Sequence, residues 1–433
     1  MYHWPIEIVR MKKNIRMARA DLERLRFKLL RSQLIDAYEN ILFYHKAFKL
    51  RGLVPQNFSS IKEIRDYPVI TKADIQKDDS IFLSKKFKPG KVKQSHSSGS
   101  TGRPLWVSFD PDTWIRKKYL SKLRSRTECG MKLGERVAIY DTDSAEALMR
   151  RSQMKLFSNP LIKAKYFSIF ADPNDGITEL LKWAPQNIDS LPSHLFQIAL
   201  AMEQNAVEPS AFKRIFTSSE YLEPNMRRYI KDRYAADVFD IYGCTEIKEI
   251  AWECERHNGY HINEDEVLVE ILNGNKPVDW DEVGDIVITD LRNKAMPLIR
   301  YRIGDRGLFR PGPCSCGRTF ALMAPLAGRS SDFIITPNGH RLSPYLFTTA
   351  IEKINGLLQY QLVQEDVQSI IVKAIMAEQN GALELKNIKE RIQAVVVEPM
   401  DIKVEACEKI DNEENGKFKV VKNRVKELVK TPQ

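Results

Sequence analysis

Ser95–Pro104 reads SHSSGSTGRP. Hydroxyls and glycines fill this stretch. Glycines let a backbone close tightly round a phosphate, and amides and hydroxyls donate to its oxygens. Arg103 can add charge-assisted contacts. The spacing is neither GxxxxGKS/T nor GxGxxG, so neither common nucleotide loop is present. A solvated Ser/Gly loop is the competing reading from composition. A weak strand edge at Gly90–Val92 is expected to lead into the loop. His96 either reaches the phosphates or is a plain loop histidine.

On both sides of this loop the pattern mixes two periods. Arg136–Tyr140 (RVAIY), Ala236–Tyr242 (ADVFDIY) and Asp285–Thr289 (DIVIT) read as strands. Leu195–Met202 and Asn225–Tyr234 read as helices, so an α/β region with a mostly covered sheet is expected. Upstream, residues 13 to 47 read as one or two helices, with Leu22, Leu25 and Leu29 on one face and Leu34, Tyr38 and Ile41 on another. After residue 328 the character changes to α+β. Leu358–Leu362, Ser369–Met376 and Asp401–Ala406 read as strands, and Ile388, Ile392, Val395 and Val396 form a helical face. A boundary at Gly328–Asp332 follows.

Composition sets the outer limits. The chain has 433 residues, more than one core usually serves, so two domains are expected. Hydrophobic residues at 43% and charged residues at 29% exclude a mainly disordered chain. Lysine and arginine number 67 against 57 acidic residues, a net charge of +10 that suits any anionic partner. The basic residues are spread out, with no recognisable module or aromatic–basic interleaving, so no nucleic acid is expected. No signal-like stretch opens the chain and no apolar run reaches the ~18 residues of a membrane span, so a cytoplasmic protein without a membrane span is expected. Six cysteines in this length are no disulfide framework, but Cys314 and Cys316 raise a metal question.

Several motifs then occur in an order that resembles the adenylate-forming superfamily. SSGSTGRP resembles its phosphate loop. Ser218-Ser219-Glu220 resembles its adenine segment, Tyr242-Gly243-Cys244-Thr245-Glu246 its YGxTE motif, and Tyr301-Arg302-Ile303-Gly304-Asp305 its YxTGD motif with Ile for Thr. Gly328-Arg329-Ser330-Ser331-Asp332 resembles its hinge, and Gly416-Lys417 the segment of its catalytic lysine. Asn40–Tyr44, Gly52–Pro55, Tyr67–Ala73 and Leu191–Ser193 resemble the phenylacetate–CoA ligase branch and its capsular-polysaccharide-associated relatives. The resemblance covers essentially the whole chain.

The resemblance implies a large N-terminal α/β AMP-binding core, 1–327, and a smaller mobile α+β C-terminal lid, 328–433. It implies that Ser97, Ser98, Gly99, Ser100, Thr101 and Gly102 cradle the ATP phosphates. Glu246 would hold Mg²⁺ and Thr245 would contact the α-phosphate. Ser219 would belong to the adenine segment, Glu220 would sit near the adenine, and Tyr242 would lie against the acyl pocket or the adenine. Asp305 would accept both ribose hydroxyls, and Arg329 would lie at the hinge with Asp332. Lys417 would bridge the carboxylate and the α-phosphate, with Lys419 as its rival. The bland readings are surface carboxylates for Glu246 and Asp305, a helix N-cap for Thr245, and a charged turn for Lys417.

Cys254, His261, Cys314 and Cys316 would suit a structural zinc site, as some members of the branch carry, with His257 as a competing ligand. Otherwise these are ordinary small side chains, as Cys129, Cys244 and Cys407 are expected to be.

The implied activity is an ATP-dependent carboxylate–CoA ligase acting through an acyl-AMP, with ATP/AMP, Mg²⁺, CoA and structural Zn²⁺ as cofactors. A small carboxylic acid is the substrate, and a homodimer is expected from relatives. A carrier-protein thiol, an amine or a sugar is the alternative acceptor. A basic zinc-containing nucleic-acid-binding or scaffold protein is the alternative of another class. Residues Asp141–Asp175 do not resemble the branch's aryl-pocket segment, which speaks against phenylacetate itself.

Overall fold

The computed structural model describes residues 4–88, 90–96, 105–141, 163–171, 173–208, 212–329, 333–342, 344–377, 381–396, 398–413 and 417–425. These residues form two compact units, each built from two stretches of chain. One holds 1–130 with 241–325, the other 131–240 with 326–433.

The first unit opens with three helices, α1 (Trp4–Asn14), α2 (Arg19–Asn40) and α3 (Leu42–Leu50). The helical stretch expected over 13–47 is therefore interrupted, at 15–18 and at Ile41, whose backbone is extended. Leu22, Leu30, Leu34 and Ala37 form the buried stripe of α2, while Leu25 and Leu29 flank it half-buried. After a short helix, α4 (Lys72–Lys77), capped reciprocally by Thr71 and Asp74, strands β1 (Lys93–His96) and β2 (Trp106–Phe109) pair antiparallel. The strand before the Ser/Gly loop is thus Lys93–His96 and not Gly90–Val92: Ser95 and His96 already belong to it. Helices α5 (Pro111–Ile115) and α6 (Ser121–Glu128) follow.

The second unit takes over with β3 (Arg136–Asp141), β4 (Lys163–Ser168), α7 (Pro173–Trp183), β5 (Asn187–Ser190), α8 (Pro192–Gln204), β6 (Arg214–Ser218) and α9 (Pro224–Tyr234). The strands β4, β3, β5 and β6 lie side by side and parallel, with α7 between β4 and β5 and α8 between β5 and β6. This is the α/β pattern that the alternating periods predict. Strand β7 (Asp237–Cys244) carries the chain back to the first unit.

There β8 (Lys248–Glu253), β9 (Tyr260–Ile262), β10 (Val267–Asn273), β11 (Lys276–Pro277), β12 (Gly284–Asp290), β13 (Tyr301–Arg310) and β14 (Leu322–Arg329) adjoin in the order 11-10-12-13-14-9-8-7. A run of acidic residues between β9 and β10 anchors the N-terminal helices. Arg124, fully buried, donates to both Asp265 oxygens at 2.9 Å, and Asn14 donates to the same carboxylate at 2.8 Å. Burial alone would raise the Asp265 carboxyl, but Arg124, Arg116 and Arg292 hold it below its ordinary value.

The last stretch returns to the second unit: β15 (Ile334–Ile335), β16 (Arg341–Leu342), α10 (Pro344–Ile351), β17 (Leu357–Gln364), β18 (Ser369–Met376), α11 (Ala382–Val396), β19 (Asp401–Ala406) and β20 (Val421–Asn423). Its four-stranded sheet runs β19-β18-β17-β20. Ile388, Ile392 and Val396 of α11 are buried, at the spacing read from the sequence. One apolar core holds Leu195, Ile215 and Ile230 of the earlier stretch together with Phe347, Tyr360 and Val372 of the later one. No helix among the described residues is long and apolar enough to cross a membrane.

Candidate active site

In the first unit, β7 and β8 form a hairpin whose turn is Thr245-Glu246-Ile247. Thr245 is therefore a turn residue and not a helix N-cap. The strand register shifts between Tyr242 and Gly243. A Cβ at Gly243 would collide with the Lys248 carbonyl, so only glycine fits this close crossing. Two side chains of β13 answer the hairpin. The Tyr242 hydroxyl donates to the Asp305 carboxylate at 2.9 Å, and the Tyr301 hydroxyl donates to the buried Glu246 carboxylate at 3.4 Å. The YGCTE and YRIGD segments thus interlock, each supplying a tyrosine to the other's carboxylate.

Lys248, which the motif reading passed over, sits at φ 74° immediately after the turn. A non-glycine residue held there stores strain, and such strain concentrates at functional sites. Its ammonium donates to Ser95 at 2.7 Å and lies 5.1 and 5.3 Å from the ring centres of Phe109 and Trp114. It ties the YGCTE turn to the strand from which the Ser/Gly stretch departs. His96 packs on Trp106, with ring centres 4.6 Å apart. Ser97, Ser98, Gly99, Ser100, Thr101 and Gly102 lie outside the described residues.

The second unit holds a separate group. Ser219 follows β6 at φ 74° and is exposed. The Glu220 carboxylate accepts the Ser193 amide and hydroxyl, each at 3.0 Å, and the Phe418 amide at 2.7 Å. Burial pushes this carboxyl up to about 7, against the hydrogen bonds from Ser193 and Phe418 and the charge of Lys417. Lys417 therefore lies close to Glu220 in space, 197 positions away in sequence. Its rival Lys419 forms an ion pair with Glu413 at 3.0 Å. Arg329 ends strand β14. Asp332, Gly416 and most of the Asp141–Asp175 stretch, from 142 to 162, lie outside the described residues. The segment Leu191–Ser193 opens helix α8, and His194 beside it is held neutral by burial, its pKa lowered to about 4.

A third group lies in the first unit. The ligand-capable atoms of Cys254, His261, Cys314 and Cys316 fall within 4.8 Å of one another. Cys254 and Cys314 have sulfurs 3.7 Å apart, and Cys316 Sγ is 3.2 Å from His261 Nε2. A tetrahedral zinc with Zn–S of ~2.3 Å has edges of about 3.8 Å, so the spacing fits such an ion. His261 Nδ1 donates to the Phe320 carbonyl at 3.0 Å, which leaves the Nε2 lone pair facing the sulfurs. Burial keeps this imidazole neutral, its pKa lowered to about 4. His257 stands outside the group, 3.5 Å from Glu253. Cys129 and Cys244 have thiols pushed well up by burial, as packing residues should.

Three comparisons bear on these sites. The CapK C-terminal domain family matches residues 334–424. Phenylacetate-coenzyme A ligase of Aromatoleum evansii is 28% identical over 347 residues, 77% of this chain and 75% of that protein. The enzyme of the same name from Escherichia coli (strain K12) is 27% identical over 357 residues, 79% of each chain. A crystal structure of 2-hydroxyisobutyryl-CoA ligase in the postadenylation state superposes with a TM-score of 0.80 at 19% identity, over 95% of this chain and 91% of that one. The chain is thus similar over most of its length to the phenylacetate–coenzyme A ligases, shares the fold of a solved CoA ligase, and matches the CapK C-terminal domain family over 334–424.

Proposed function

We propose that this chain is an ATP-dependent carboxylate–CoA ligase. It activates a small carboxylic acid as an acyl-AMP with loss of pyrophosphate, then transfers the acyl group to CoA with loss of AMP. The observation that carries this reading is the reciprocal pairing of Tyr242 with Asp305 and Tyr301 with Glu246, set in an adenylate-forming fold. The homologues' shared activity supports it.

Each residue then has a physical task. Asp305 accepts the ribose hydroxyls through a carboxylate oriented by Tyr242. Glu246 is the carboxylate suited to hold Mg²⁺, a hard cation that supplies charge neutralisation at the phosphates. Thr245 donates to the α-phosphate, and Ser97–Gly102 cradle the outer phosphates. Lys417 brings a positive charge to the carboxylate and α-phosphate, where charge grows in the transition state. We assign 1–327 to the AMP-binding core and 328–433 to a lid hinged at Asp332, with Arg329 beside the hinge. The CapK-type match, which begins at 334, supports that division. Cys254, His261, Cys314 and Cys316 are assigned to a structural zinc. With all four positions filled by protein, such a site stabilises a fold and performs no catalysis.

The test is pyrophosphate release with ATP and Mg²⁺ over a panel of aryl, fatty, amino and sugar acids, followed by addition of CoA. At least one acid should give substrate-dependent pyrophosphate and a thioester. Adenylate without thioester would redirect the acyl group to a carrier protein, amine or sugar. Neither product from any acid would falsify the ligase reading.

A further inference from the structure

Three segments far apart in sequence converge on one carboxylate in the second unit. Glu220 accepts the Ser193 amide on one oxygen and the Ser193 hydroxyl and Phe418 amide on the other. The Asn412 side chain donates in turn to the Ser193 hydroxyl at 3.3 Å. Ser193 is the second residue of α8, so its amide belongs to the set that an α-helix leaves without internal partners. Phe418 follows Lys417 directly, and the Lys417 carbonyl accepts the Glu413 amide at 2.8 Å. Three of the roughly four acceptor positions of a carboxylate are thereby occupied by protein donors. Little of Glu220 remains to read an adenine, the role the motif resemblance gives it.

We infer that Glu220 is a positioning residue for Lys417: its carboxylate pins the Phe418 amide to the start of α8 and so fixes the backbone that carries the lysine. The inference rests on the reading of Lys417 as the adenylating lysine. Uncharged partners dominate the contact. Among the described residues, the charge that bears on Glu220 is that of Lys417, while Glu413 and Lys419 pair with each other and His194 on α8 is neutral and bonded to Ser190. A pin of this kind matters for one half-reaction only. Adenylation needs the lysine in place; attack of a thiol on a finished acyl-AMP does not.

Glu220→Ala and Glu220→Gln, compared with wild type, test this in two ways. Misplacing a catalytic group by about 1 Å costs on the order of 10²-fold, so Glu220→Ala should lower the adenylation kcat by about that factor with the KM for ATP nearly unchanged. Thioester formation from supplied acyl-AMP and CoA should change little. Glu220→Gln keeps an acceptor oxygen for Phe418 and should restore most of the rate. Hydrogen exchange at the Phe418 amide, which needs no activity, should be fast in Glu220→Ala and slow in wild type and Glu220→Gln. A raised KM for ATP with Phe418 still protected would overturn the pin and restore the adenine contact. Should the wild type adenylate no acid, the ligase reading fails alone, and Phe418 exchange still decides whether the pin exists.

Discussion

Asp305 and Lys417 show how little of a side chain's role its type reveals. A carboxylate or an ammonium is usually a solvated surface group. Here the Tyr242 hydroxyl orients Asp305, and Lys419 is committed to Glu413. Lys417→Ala is therefore expected to lower adenylation by roughly 10²–10³-fold, the usual cost of a lost transition-state donor, while Lys419→Ala stays near wild type; equal losses in pyrophosphate release would reverse the assignment. Tyr242→Phe removes one hydrogen bond to a charged group and should raise the KM for ATP roughly tenfold with kcat nearly constant. Glu220 gives a stability prediction with a definite sign. Its folded-state pKa is raised to about 7, above the ordinary carboxylate value. Its contribution is thus fully present below that ordinary value and is lost as pH rises through about 7. Glu220→Gln should flatten this part of the pH–Tm profile; an unchanged slope between pH 5 and 8 counts against it.

At the scale of elements, strands with apolar runs or a strict apolar–charged alternation were legible. RVAIY, DIVIT and DIKVEA all lie in strands, and the apolar face of α11 follows its 3.6-residue period. Boundaries set by tertiary contact were not. Residues 93–96 carry only polar side chains and form a strand because β2 pairs with them. The break at Ile41 has no glycine or proline to announce it. The candidate site divides the same way. Tyr242, Glu246, Asp305 and the Cys/His set were visible as motifs, since their chemistry demands those types at those places. Lys248 and the Phe418 amide were not, because a strained backbone and a main-chain donor leave no mark in residue type. Gly243 belongs to the same hidden class. Gly243→Ala drives a methyl into the Lys248 carbonyl, and overpacking of this kind costs about 1–3 kcal/mol. A lowered Tm with loss of ATP binding is expected; an alanine variant as stable as wild type would show that the hairpin can open its crossing without cost.

The chain passes between its two units three times, so each unit depends on stretches far apart in sequence. Covalent continuity does little to hold such stretches together, and the first unit carries a local device for doing so. Cys254 and His261 flank the β8–β9 turn, while Cys314 and Cys316 lie about sixty residues on, between β13 and β14. A zinc held by all four would close that loop, and a bridge across a long loop removes much entropy from the unfolded chain. The thiols must lose their protons to bind, so the ion and the fold support one another. Purified protein should therefore contain about one equivalent of zinc by elemental analysis. Cys316→Ser should lose it and lower Tm by several degrees, on the order of a few kcal/mol. His257→Ala should retain it, because His257 faces Glu253 and not the sulfurs. Hydrogen exchange should then accelerate first across 254–262 and 314–323 and leave 357–376 of the other unit protected. Full metal content in Cys316→Ser would remove Cys316 from the ligand set; a wild type without zinc, or uniform exchange across both units, would show that the cluster is packing alone.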